Sequence, residues 1–143
     1  MRVKPTSAFR FRVWDLERRE MRHGPNFLID SVGSLYWQFG FDEAKCLSRQ
    51  DYEVVFGTGL QDKNGKEIYE GDIVYAEAND TTSVIKYGKH RCINSGYDDD
   101  FHFGFYTDHG DGGADETLYP DGTLYEVVGN IYENPELIRE TNE

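Results

Sequence analysis

The chain has 143 residues, with 27 Asp plus Glu against 15 Lys plus Arg, a formal net charge of −12. That length suits a single domain of residues 1–143. A composition 38% hydrophobic and 15% aromatic excludes a disordered acidic tail, and apolar runs no longer than stretches such as Ile73 to Ala76 exclude a helical membrane protein.

The charge is uneven. From Cys92 to Ile138 there is no Lys or Arg, but there are eleven acids: Asp98, Asp99, Asp100, Asp108, Asp111, Asp115, Glu116, Asp121, Glu126, Glu133 and Glu136. The first 22 residues carry seven bases against three acids. An acidic surface repels phosphate, so neither nucleic acid nor membrane is expected as a partner. No long apolar run follows Arg2 and Lys4, so no signal peptide is read and a cytoplasmic location is expected.

Along the chain the dominant period is two. Phe9, Phe11 and Val13 alternate with Arg10, Arg12 and Trp14, predicting a strand with one core face and one wet face on which arginine stems lie along Trp14. Ser34 to Phe39 and Glu53 to Phe56 are short, β-prone and aromatic-rich, and read as further strands. Asp42 to Arg49 reads as a short helix. In Asp62-Lys63-Asn64-Gly65-Lys66-Glu67 the Asn-Gly pair suits a two-residue type I′ hairpin turn, which needs positive φ at both central positions. Strands are predicted at Ile73 to Ala76, at Thr82 to Tyr87 after a turn at Asn79-Asp80, at Phe101 to Thr107, and at Leu124 to Val128 after Pro120-Asp121-Gly122. Asn134-Pro135-Glu136 then reads as a helix start, with Asn134 as N-cap and Pro135 in the first turn. The fold class expected is all-β, a small antiparallel barrel or roll: a β segment over about 1–50, a barrel-like core over about 51–134 and a short C-terminal helix over about 135–140.

Candidate chemistry is sparse. Asp98, Asp99, Asp100 and His102, with Asp108 and Asp111 further on, are weak cation candidates because carboxylate and imidazole donors suit divalent metals. A calcium loop starting at Asp108 fails, since Gly110, Gly112 and Tyr119 stand where oxygen ligands belong. No metal site, no cofactor and no catalytic residue is assigned. Cys46 and Cys92, 46 residues apart without a CxxC spacing, read as a reduced buried pair. Phe101, Phe103 and Phe105 alternate with His102 and Gly104, which predicts a core-facing aromatic set and an outer face of His102, Gly104 and Tyr106 suited to protein binding.

Three blocks carry a family resemblance. Phe11-Arg12-Val13-Trp14-Asp15 with Glu20-Met21, the run from Thr58 to Val74 containing Gln61-Asp62-Lys63-Asn64-Gly65-Lys66-Glu67-Ile68-Tyr69-Glu70-Gly71-Asp72, and Val128-Gly129-Asn130-Ile131-Tyr132-Glu133-Asn134-Pro135-Glu136-Leu137 together resemble the YopX-like proteins of bacteriophages and prophages. The resemblance implies a mostly β fold with a core of Src-homology-3-like type, a phage or prophage origin in a bacterial host, and self-association; it implies no reaction. In the central block Gly57, Gly59, Gly65 and Gly71 punctuate the chain, so the motif is explained by backbone turns alone. The functional alternative makes Asp62, Lys63, Asn64, Glu70 and Asp72 a docking rim with Tyr69 as aromatic anchor. The function expected is a non-catalytic binding or self-assembly module, its partner itself or a host or phage protein. The alternatives are an acidic nucleic-acid mimic that engages a host DNA-binding protein and a metal-dependent hydrolase.

Overall fold

A computed structural model describes residues 10–91, 101–108, 116–118 and 122–141. In chain order these form β1 (Phe11–Asp15), β2 (Glu20–Arg22), β3 (Phe27–Ile29), β4 (Leu35–Trp37), β5 (Lys45–Cys46), β6 (Tyr52–Gln61), β7 (Glu67–Tyr69), β8 (Asp72–Ala76), β9 (Thr81–Arg91), β10 (Phe101–Asp108), β11 (Glu116–Thr117), β12 (Glu126–Asn130) and the short helix α1 (Glu136–Thr141). Strand pairing is antiparallel, and part of the sheet curls into a half-barrel, the all-β class that the period of two predicts.

The chain divides into two compact units, Phe11–Phe56 and Met1–Arg10 together with Gly57–Glu143. In the first, β1 pairs with β2 on one side and with the first half of β6 on the other, Val13 opposite both Arg22 and Val54. A central strand has both faces available for covering, and Arg12 through Asp15 are all buried. The wet arginine face expected of β1 is therefore absent. Strands β3, β4 and β5 make a second small sheet. Val13, Phe27, Leu35 and Val54 form the core, with Trp37 and Leu47 packed on it, and the Arg22 guanidinium lies over the Phe27 and Trp37 rings at 5.6 and 5.5 Å, a cation–π arrangement. The helix expected over Asp42 to Arg49 does not form. Leu47 joins the core in extended conformation instead, its N–H donating to the Leu35 carbonyl at 2.9 Å, and β5 pairs with β4.

In the second unit the sheet order is β11-β10-β9-β8-β12, and the second half of β6 pairs with β7. Ile68, Val74, Ile85, Leu118 and Tyr125 form the core, with Leu60, Phe105 and Val127 packed on it. The 62–66 hairpin forms, but not with a type I′ turn. Gly65 N–H donates to the Asp62 carbonyl at 3.0 Å and Asp62 N–H to the Lys66 carbonyl at 2.7 Å, with positive φ at Gly65 and not at Asn64. This is a three-residue loop closed by a left-handed glycine. At the start of α1 the Asn134 carbonyl accepts the Leu137 N–H at 3.1 Å, and its side-chain Oδ1 accepts the Asn130 N–H at 3.2 Å.

Candidate interaction surface

The six residues of the expected rim separate by burial. Asp62 is 3% exposed and Asp72 only 1%, so neither presents its carboxylate to a partner. Asp62 Oδ1 accepts the N–H groups of Asn64 and Lys66, each at 2.9 Å, and its Oδ2 accepts the Val127 N–H at 2.9 Å, stapling the hairpin loop to β12. Burial pushes the Asp62 pKa up, but the donors from Val127, Lys66 and Asn64, with the Lys66 charge, outweigh it and hold the carboxyl below its ordinary value of 3.8. Asp72 Oδ2 accepts the Tyr69 N–H at 2.8 Å across the β7–β8 turn. That turn needs Gly71, whose φ is +85° and whose added Cβ would stand 2.9 Å from the Tyr132 ring. Tyr69 and Glu70 are half-buried; Lys63 and Asn64 are exposed at the hairpin tip, where Lys63 pairs with Glu126 at 3.4 Å. The rim thus reduces to that tip.

The other two blocks repeat this use of polar side chains. Asp15 is buried and accepts the N–H groups of Glu17 at 3.1 Å and Arg18 at 3.0 Å, with Arg18 and Arg22 at 3.6 and 3.8 Å. It holds the β1–β2 turn, in which Arg19 has φ of 56°. Asn130, also buried, accepts from Tyr132 at 3.0 Å and Glu133 at 2.8 Å through Oδ1. A short acceptor that bonds backbone donors two to four residues ahead is the chemistry of Asx turns. Asp15, Asp62, Asp72 and Asn130, at least one in each block, therefore hold turns.

Of the cation candidates, Asp98, Asp99, Asp100 and Asp111 lie outside the described residues. His102 is a β10 position, and Asp108 is ion-paired with Lys86. Among the described residues no group of three or more His, Cys, Asp or Glu comes together to hold a metal. Cys46 is exposed on β5, so the buried pair expected of it does not hold at that end; Cys92 lies outside the described residues.

The exposed surface with the most distinctive chemistry is the outer part of the β9–β10 hairpin. Strand β8 pairs with β9 only from Thr81 to Val84, and β11 pairs with β10 only at Tyr106 and Thr107. Beyond these points β9 and β10 run on as a two-stranded arm among the described residues. Register places Ile85 opposite Thr107, Tyr87 opposite Phe105 and Lys89 opposite Phe103, and alternation puts all six on one face. Ile85 and Thr107 are interior and Phe105 packs on the core, whereas Tyr87 is 59% and Phe103 76% exposed. The Tyr87 and Phe105 rings meet edge to face at 5.0 Å. An aromatic ladder thus starts in the core and ends in solvent. On the reverse face His90 stacks on Tyr106 at 4.7 Å. The β10 alternation is as expected, but Phe103 is outside the core, on a stretch of β10 that among the described residues pairs only with β9. The missed signal is the mismatch between a five-residue β8 and an eleven-residue β9.

Fold and surface together define a small antiparallel β protein whose motif acids are structural and whose exposed apolar chemistry sits on a hairpin arm. Residues 10–139 match the family described as YopX protein, and the chain belongs to that family. It is also similar to a solved structure, the crystal structure of protein EF1440 from Enterococcus faecalis, at 26% identity and a TM-score of 0.51, over 91% of this chain and 97% of that one. No curated protein matches the chain.

Proposed function

We propose that the chain is a non-catalytic binding module whose contact surface is the aromatic face of the β9–β10 arm, and whose partner is a further copy or a host or phage protein. The observation that carries this reading is the exposure of Phe103 and Tyr87 beside the core-packed Phe105. Exposed rings on paired strands have few rotatable bonds to order when covered, which is why aromatic anchors dominate protein contacts. Use of the block acids as turn staples supports the same reading, since those residues are then unavailable for chemistry. A phage or prophage origin and a cytoplasmic place of action in a bacterial host are part of the proposal, supported by the likeness to YopX proteins.

Sedimentation at several protein concentrations and affinity capture from bacterial lysate, each with the parent and with Phe103→Ser, test it. The expected result is association or retention in the parent that Phe103→Ser loses without a change in melting. A parent that stays monomeric and captures nothing, or a variant indistinguishable from the parent, overturns it.

A further inference from the structure

We infer that Asn64 is a site of spontaneous covalent modification, at which the Gly65 backbone nitrogen closes a succinimide ring on the Asn64 side chain, and that Asp62 holds this reaction back by keeping the turn closed. The inference stands on the hairpin alone and is independent of the role of the β9–β10 arm.

Among the asparagines of the chain only Asn64 precedes a glycine. Ring closure brings the following backbone nitrogen onto the side-chain carbonyl carbon, and a glycine at that position puts no side chain in the way. Asn64 and Gly65 are both exposed at the hairpin tip, and among the described residues nothing but the chain neighbours lies within 4 Å of where a Cβ would stand on Gly65. Lys63 and Lys66 flank the pair, and their ammonium groups favour the amide anion that attacks. The Gly65 nitrogen, having lost its proton to solvent base, forms a bond to Asn64 Cγ. The Cγ–Nδ2 bond breaks, and the leaving nitrogen takes up a proton and departs as ammonia. Water then opens the ring at either carbonyl. Opening at Cγ leaves aspartate at position 64, and opening at the backbone carbonyl leaves isoaspartate, whose main chain is longer by a carbon.

The folded turn opposes this step at its nucleophile. Gly65 N–H donates to the Asp62 carbonyl at 3.0 Å, and the N–H groups of Asn64 and Lys66 on either side donate to Asp62 Oδ1, each at 2.9 Å. Three consecutive backbone donors are thus held by Asp62, itself 3% exposed and tied to β12 through the Val127 N–H at 2.9 Å. The Gly65 nitrogen must leave its acceptor and turn toward the Asn64 side chain, so the reaction runs through opening of the loop and its rate reads the population of the open form. The carboxylate that staples the hairpin to β12 therefore also protects the Asn64–Gly65 peptide. Conversion in turn damages the staple. The added main-chain carbon of isoaspartate falls between the Asn64 and Lys66 donors that share Asp62 Oδ1, and either product sets a new negative charge in the same loop as the Asp62 carboxylate.

Peptide mass spectrometry of protein held for days in mildly alkaline buffer tests the inference. Cleavage after Glu53 and Glu67 releases the fragment 54–67, in which conversion reads as the mass gain of an amide-to-acid exchange, and chromatography separates the aspartate and isoaspartate forms. The parent is followed folded and unfolded in guanidinium chloride, beside folded Asn64→Ala, Asp62→Ala and Asp62→Ser, the last keeping one short acceptor for the turn. The expected result is that the folded parent yields both products at least about tenfold more slowly than the unfolded chain. Asp62→Ala is expected to convert at least about threefold faster than the folded parent, with Asp62→Ser between them and Asn64→Ala not converting. A folded parent that stays unmodified after the unfolded chain has fully converted overturns the inference, as does one that converts as fast as the unfolded chain. Aspartate formed without isoaspartate excludes the ring and overturns it too. Asp62→Ala that is folded by circular dichroism and converts at the parent's rate removes the protecting role of Asp62; if that variant does not fold, the same rate in Asp62→Ser removes it.

Discussion

Replacing Asp62 by Ala removes the acceptor of three backbone donors at once: Asn64, Lys66 and Val127, each at 2.9 Å. The three losses are unequal. Asn64 and Lys66 lie in an exposed loop, where water replaces the carboxylate at a cost of about 0.5 kcal/mol each. Val127 is on β12, half-buried and packed on the core, so its orphaned N–H costs roughly 2 kcal/mol. Asp62→Ala is therefore expected to destabilise the protein by about 3 kcal/mol, or about 10 °C in Tm for a chain of this length. Asp62→Asn keeps one oxygen but turns an NH2 donor toward a remaining N–H, and is expected to cost roughly 2 kcal/mol. The pH dependence follows from the lowered pKa of the Asp62 carboxyl. A group whose folded pKa lies below its unfolded value contributes stability above the unfolded value, and that contribution fades as pH falls through the folded one. The difference between parent and Asp62→Ala is thus full near pH 7 and shrinks below the ordinary value of 3.8. Urea denaturation followed by circular dichroism at pH 7 and in acid measures both. A difference within about 0.5 kcal/mol at pH 7, or one that grows in acid, refutes the staple.

Glu67 runs the opposite way. Burial raises its pKa above the ordinary 4.5 against the Arg10 charge and the Gly59 N–H, with the Asp72 charge raising it further, and its Oε1 is buried with no hydrogen-bond partner among the described residues. A raised carboxyl pKa favours the folded state as pH falls toward the unfolded value and opposes it as pH rises past the folded one. Glu67→Gln is expected to stabilise the protein at pH 7 by less than about 1 kcal/mol, discounted for solvent screening, with no gain near pH 4; a loss in urea denaturation at pH 7 contradicts it. Gly122→Ala drives a Cβ to 2.3 Å from the Gln61 carbonyl oxygen, and the forced backbone shift is expected to cost about 1–3 kcal/mol in the same assay; a neutral result contradicts the close approach. Phe103→Ser is expected to leave the melting transition unchanged, within about 0.5 kcal/mol, because the ring is mostly in water, and a large drop shows the ring to be structural.

The fold was readable where its determinants are local. Asn64-Gly65 marks a hairpin wherever it stands between strands, alternation marks β1 and β10, and the turn at Asn79-Asp80 between two β-prone runs marks β8 and β9. The turn type was not readable, because Asp62 is held by a donor 65 residues away on β12 and no neighbouring residue reports it. The three-residue strands β2 and β3 carry too few residues to show a period, and β5, of two residues, is a strand only because β4 lies beside it. Burial was the least legible property. Arg12 and Phe103 both alternate as expected, yet Arg12 is interior on a strand paired on both sides, while Phe103 is mostly in water on a stretch of β10 that among the described residues pairs only with β9. Burial also separates the expected rim: Asp62 and Asp72 are interior and spend their charge on backbone N–H groups. In retrospect the spacing was the signal, since each acid precedes by three or fewer residues, or follows by one, a glycine with positive φ.

The central claim is that contact is made by the arm and not by the Asp62–Asp72 block. Hydrogen–deuterium exchange of the parent, compared between dilute and concentrated solution, tests it directly. The account predicts added protection at high concentration over 101–108 and 84–91, absent in Phe103→Ser, with the amides of 62–72 unchanged. Added protection over 62–72 with none on the arm contradicts it.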